Sequence, residues 1–465
     1  TANNAVNLNI ASEGDLTVGT VDVNNGVLDL QFDSDNDDAG TAATSARTLT
    51  ATALSAGTVL LAGGTDGNEQ FAIGQINAGS GGLAVASNMI LLTDLDITSL
   101  GGAVFSGSVN GNQALTIDAV NDVVFANAVG TEQTLASLTV DAASISLPTV
   151  ITSGAQTYTG SVAVNGDLQG GSLIFNGTVN VLADLRMVSD TIDFNGGANS
   201  VTGSSRFTLL PATQGADISI GGSDSVLNLN ADALSGYAGD MIIGGIVNGF
   251  DLTQVAGDIT VNDTLSLAGN ATLILFGDSI ILASGTLAAQ TLILLAADQQ
   301  GVIANTGGDD TLLSGELIVL VAGGSVGATG DINAQAPSGS GILELASGSP
   351  VAAIINIGNS LAQRTSPNTV LADAYAEALG LDPQSSTVTN TALTSAGREQ
   401  TGELEDEDYI DPSLFENISL FEVFGTGILL PADQREEEEE DEDEAKTEKL
   451  NVTGLAETQN ATKSL

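Results

Sequence analysis

The sequence predicts an all-β fold, a right-handed parallel β-helix. Three observations carry this: short alternating strands dominate, the apolar residues are almost all aliphatic, and Gly, Asn and Asp recur where strands end. Hydrophobic residues make up 42% of the 465, aromatic ones only 3%, and there is no Trp. A globular core ordinarily leans on several bulky rings, whereas thin stacked coils fill with Val, Ile, Leu and Ala. The core is therefore expected to be aliphatic.

Over residues 1–358, Leu16-Thr17-Val18, Val27–Leu30, Leu115–Asp118, Leu138–Asp141, Ser144–Leu147 and Val162–Val164 share one pattern. Every second side chain is aliphatic, which is the mark of a strand buried on one face. The pattern returns in Ser172–Phe175, Thr191–Phe194, Val226–Leu229, Asp258–Val261, Ser279–Leu282 and Thr291–Leu294. These are too many strands for one sandwich, and three of them give a coil of roughly 20 to 30 residues, in the solenoid range. Asn25-Gly26, Asn165-Gly166, Asn176-Gly177, Gly196-Gly197 and Gly221-Gly222 stand at the expected corners, where such residues accept positive φ. The same dipeptides serve two-residue hairpins, so an antiparallel meander is the competing architecture.

Beyond residue 358 the text changes. Residues 359–400 are read as a helix and a Ser/Thr-rich linker. Leu371, Tyr375 and Leu379 share a helical face over Thr369–Leu379, with Asn368 as N-cap and Gly380 as the stop. Residues 401–434 form an acidic and apolar segment in which Phe415, Phe421 and Phe424 predict docking to a partner or capping of the solenoid end. Residues 435–465, with the unbroken acidic run Glu436–Glu444, are expected to be a disordered tail.

Charge narrows the function classes. The chain carries 58 acidic and 9 basic residues, a net charge of -49, and before position 360 its only basic residues are Arg47, Arg186 and Arg206. Phosphate recognition needs clustered cations, so nucleic acid is excluded as a partner. No apolar run is long enough to span a bilayer, and no membrane insertion is expected. The absence of Cys suits a solenoid held by stacking alone. A chain that opens on Thr1 is read as processed or as part of something longer.

The strand and corner text resembles filamentous-haemagglutinin-like bacterial exoproteins of the two-partner secretion route and autotransporter-type β-strand-repeat adhesins. Val150–Val162, with its Gln156-Thr157-Tyr158 centre, is similar to a recurrent coil of those proteins, as are Leu292–Gly301 and Leu317–Gly327. Ile418–Glu444 resembles the C-terminal end of very large members. The resemblance implies a secreted or cell-surface adhesin. It implies partners among host or neighbouring-cell surfaces, matrix or glycan, and an outer-membrane transporter during export.

Catalysis is not expected. Without His or Cys, and without Lys before Lys446, only paired carboxylates such as Asp94 with Asp96 or Asp118 with Asp122 could act, as in a polysaccharide-active β-helix. Such a cleft ordinarily adds aromatic platforms, and Tyr158 and Tyr237 are the only Tyr in residues 1–358, with Trp absent. No cofactor is expected beyond weakly bound calcium. The weak candidates are Asp33, Asp35 and Asp37, which open like an EF-hand loop, and Asp309 and Asp310, which match half of a repeat-in-toxin motif. A calcium-stiffened surface-layer or matrix protein is thus the third reading.

Overall fold

The computed structural model describes residues 6–33, 46–64, 69–327, 329–349, 351, 354–356, 361–365 and 369–381. All lie in the first of two compact units, Thr1–Gly425. The expected tail and Phe415, Phe421 and Phe424 lie outside the described residues. The chain winds into a β-solenoid of about 15 turns. Each turn has three faces, taken in chain order: Leu16–Thr17 and Thr20–Asp22 open the first and second, and Val27–Gln31 continues the third, which Leu8–Ala11 opens. Pairing between turns is parallel. Gly245–Asn248 with Asp251–Gln254 is the one antiparallel pair among the described residues, which removes the meander.

Along the second face the partners Leu95, Leu115, Leu138, Gln156, Leu173 and Ile192 follow one another at intervals of 17 to 23 residues. The coils of 17 to 19 residues fall below the expected range because corners are made inside strands. Ser137–Leu147 and Ala155–Val164 pass from the second face to the third through a register shift between Asp141 and Ser144, with no separate loop. The last rung, Leu361–Thr365, pairs with Gly341–Leu345, past residue 358.

The core is mainly aliphatic, as expected, with a small aromatic part. Rings are few but stacked: Tyr158, Phe175 and Phe194 follow one another at centroid spacings of 5.4 Å, and Phe105 lies 4.9 Å from Phe125. Parallel in-register coils place identical positions about 4.8 Å apart, so one Phe per turn makes an internal ladder. Each stacked pair adds about 0.5–1.5 kcal/mol beyond its burial. Phe105, Phe125, Phe175 and Phe194 contribute in this way among the described residues.

Most corner glycines are required by close approach of the next coil and not by φ. A Cβ on Gly177 would lie 1.9 Å from the Gly160 carbonyl oxygen. Gly221, with φ of +78°, is a corner that needs both.

Toward the C-terminal end the strands Thr272–Gly277, Thr291–Ala296 and Leu317–Ala322 are buried on both sides, which corrects the one-sided burial expected of Thr291–Leu294. Their outward side chains, Ile274, Phe276, Ile293, Leu295, Val319 and Val321, form a second core. The antiparallel hairpin and a helix cover it. Helix α1 is the single turn Ala231–Leu234; helix α2 spans Leu371–Ala378, within the predicted range. Tyr375 of α2 meets Phe250 of the hairpin edge-on at 5.5 Å. The expected cap Asn368 lies outside the described residues. Instead, buried Glu344 accepts hydrogen bonds from the amides of Leu371 (2.8 Å) and Ala372 (3.0 Å). A carboxylate from the stack thus supplies the N-terminal cap.

One irregularity divides the stack. Between the rungs at Ile192–Phe194 and Ile280–Leu282, the second face holds three strands: Leu227–Leu229, Ile218–Ile220 and Ile259–Val261. Over the same stretch the first face holds two, Phe207–Leu210 and Met241–Ile243. The excursion 211–226 inserts the extra strand, and α1 takes a strand's place on the third face, beside Val201–Gly203 and Leu265–Ser266.

Candidate functional site

Strand alternation that buries Leu95, Ile97, Leu115, Ile117, Leu138 and Val140 must turn the residues between them outward. On the second face these are short oxygen-bearing side chains in two columns. The first runs Asp96, Thr116, Thr139, Thr157, then Ile174 and Asp193. The second runs Thr98, Asp118, Asp141 and Thr159. Hydrogen bonds extend it, since the Asn176 amide donates to Thr159 Oγ1 (3.4 Å) and the Asn195 amide donates to Asn176 Oδ1 (3.1 Å). Neighbours stand about 4.8 Å apart across coils and about 6.6 Å apart along a strand. Asp96 through Asp141 are exposed, so these rungs form a regular oxygen lattice.

The lattice is anionic, and little offsets it. Each arginine of the described body down to Arg206 faces an aspartate: Arg186 Nη2 is 2.6 Å from Asp167, Arg206 Nη2 is 3.3 Å from Asp184, and Arg47 Nε is 3.9 Å from Asp33. Asp118 and Asp141 are direct cross-strand partners, a like-charge contact that disfavours any further anion at this surface.

Other carboxylates act as staples between coils. Asp94 accepts the Ala114 amide (2.9 Å), Asp167 the Arg186 amide (2.8 Å), Asp184 the Arg206 amide (2.8 Å) and Asp240 the Thr272 amide (2.8 Å). At these corners a backbone N–H has left the ladder, and a side chain from the coil below takes it. At Asp190 burial opposes ionisation, but hydrogen bonds from the Thr213 hydroxyl and amide and the Ala212 amide outweigh it and hold the carboxyl below its usual range. Asp258 goes the other way. Burial, with Asp217 and Asp278 nearby, raises it despite hydrogen bonds from Ser279.

The carboxylate pairs singled out in the sequence are divided among these roles. Asp94 is a staple while Asp96 belongs to the lattice. Asp118 sits on the second face, whereas Asp122 lies on the third and accepts the Ser144 hydroxyl at 2.7 Å. Asp33 is buried at positive φ beside Arg47; Asp35 and Asp37 lie outside the described residues. Asp309 and Asp310 are exposed in a short 3-10 turn. The carbonyl of Gly308 in that turn accepts from the Asn305 and Asn333 amides, 2.9 and 3.1 Å away. Among the described residues no group of three or more His, Cys, Asp or Glu side chains is placed to hold a metal ion.

The Gln156-Thr157-Tyr158 centre, which carried the family resemblance, is mainly structural. Gln156 is fully buried in an otherwise aliphatic column, and its amide donates to the carbonyls of Val150 (3.3 Å) and Gln169 (2.8 Å). Tyr158 donates its hydroxyl proton to Gln156 Oε1 at 2.9 Å. The network locks the corner 150–154 from inside; only Thr157 of the three reaches the lattice. No protein-family model, curated protein or solved structure matches this chain.

Proposed function

We propose that this chain is a non-catalytic, secreted or cell-surface adhesin-like solenoid that grips an extended polymer along its second face, in adhesion, aggregation or matrix formation. The uninterrupted outward lattice from Asp96 to Thr159 supports this reading. Short hydroxyl and carboxylate groups at a fixed repeat match a partner that itself repeats, and they accept hydrogen bonds from its hydroxyls. The anionic field favours neutral or amino-bearing polysaccharide over sulfated or uronic chains. Export through an outer-membrane partner belongs with the same reading.

Retention on insoluble chitin or cellulose tests it. Wild type is expected to be retained, and Thr116→Tyr with Thr139→Tyr, which raises two bulky rings from the lattice, is expected to lose about tenfold in affinity. Equal retention of the variant, or retention on heparin alone, would overturn the proposal.

A further inference from the structure

The two columns of the second face end in a groove. Asp193 and Asn195, their last members, line a cavity of about 310 Å³ together with Gly222, Asn228, Asn230 and Asp263. Its position follows from the extra rung: the chain leaves Ile218–Ile220 through Gly221 and Gly222, and these form one wall. Insertions into a regular solenoid are where binding loops are most often carried.

The polar atoms of this groove are unequal. Both sides of the Asn228 amide close on Ser225. Asn230 caps α1 through Oδ1 and donates to the Phe194 carbonyl. Asn195 donates to Asn176. One oxygen of Asp263 accepts the Thr264 amide at 2.7 Å. Asp193, half-buried, accepts no hydrogen bond from the described residues. What remains is chiefly acceptor capacity: the Asp193 carboxylate, the second oxygen of Asp263 and Asn195 Oδ1. A ligand here must donate, and the space is about ten times the share of one water.

We infer that the groove takes one hydroxyl-rich, uncharged sugar unit of the polymer lying along the columns, with Asp193 and Asp263 accepting its hydroxyl protons. The inference rests on the adhesive reading of the second face. Tyr and Phe side chains here point into the core, so no ring stacks on the sugar, and the affinity of one unit is millimolar, about 4 kcal/mol.

Saturation-transfer NMR on the full chain tests this, with cellotriose, tri-N-acetylchitotriose and a triuronate as probes. One of the neutral trisaccharides is expected to receive saturation and the triuronate none. Asp193→Ala, which removes no hydrogen bond within the protein, is expected to weaken transfer about tenfold, while Asp309→Ala and added chelator leave it unchanged. Absence of transfer to wild type, undiminished transfer to Asp193→Ala, or transfer abolished by chelator would each overturn the groove assignment, the last in favour of a cation. If trisaccharides fail while chitin or cellulose retention persists, the groove falls and the adhesive face stands. If transfer persists but the lattice variant is retained as well as wild type, the extended face falls instead.

Discussion

The coils around residues 95–175 and those around residues 272–347 share one backbone plan and differ in what they turn outward. On the second face of the first set, from Asp96 to Thr159, outward positions are Thr and Asp in open columns. On the first face of the second set they are Ile, Leu, Val and Phe, closed over by the hairpin and α2. Parallel stacking satisfies the backbone in both, so the outward row is free to vary. That row decides whether the face of a coil offers a surface or buries one.

The sharpest way to break the contrast is to place a charge on each outward row. Leu295→Asp is expected to cost on the order of 4 kcal/mol, because the new carboxylate is buried without a partner. Thr139→Asp, on the open lattice, costs less than about 1 kcal/mol. Because long repeat arrays do not unfold in two states, local hydrogen exchange of the affected rungs is the measurement. Similar protection losses in both variants would erase the distinction.

The next largest effect concerns how the cover is held. Glu344→Ala removes the acceptor for two α2 amides and is expected to release about 1–2 kcal/mol of local stability. Exchange across Leu371–Ala378 would then quicken about tenfold while the rungs at 95–175 stay protected. Unchanged exchange would mean that apolar packing alone holds the helix.

The smallest effects are electrostatic and have opposite signs. Asp190 titrates below its unfolded value, so its contribution is present above the ordinary carboxylate range and lost as pH falls through the depressed folded value. Asp258 titrates above its unfolded value, so it favours the fold when protonated and that gain is lost as pH rises through the folded value. Melting profiles should therefore show Asp258→Asn stabilising near neutral pH, by up to about 1 kcal/mol, and Asp190→Asn destabilising there. Shifts of the same sign would contradict the assignment.

Much of this was legible in the residues. Alternation in Leu115–Asp118 and Leu138–Asp141 specifies both a buried column and the outward lattice, because side-chain period and coil register act together. The unbroken apolar run of Leu317–Ala322 signals a strand buried on two sides, but nothing in it names the cover. Glu344, alone in an apolar strand, was a signal for the α2 cap that only the fold could interpret. The aromatic ladder was hidden because Tyr158, Phe175 and Phe194 are aligned by coil length, which the bends inside strands shorten. The extra rung was illegible for a related reason: Val226–Leu229 reads as an ordinary strand, and its order in the stack reverses its order in the chain.

The contrast between open and covered rows can be measured directly, since the chain has no cysteine of its own. Single Thr116→Cys, Thr139→Cys and Val319→Cys variants would be followed by maleimide labelling of the folded protein. Thr116→Cys and Thr139→Cys are expected to label at the rate of a free thiol, and Val319→Cys on the order of a hundredfold more slowly, limited by local opening. Equal rates at all three positions would contradict the claim that this solenoid offers its partners the second face and seals the other row with its own chain.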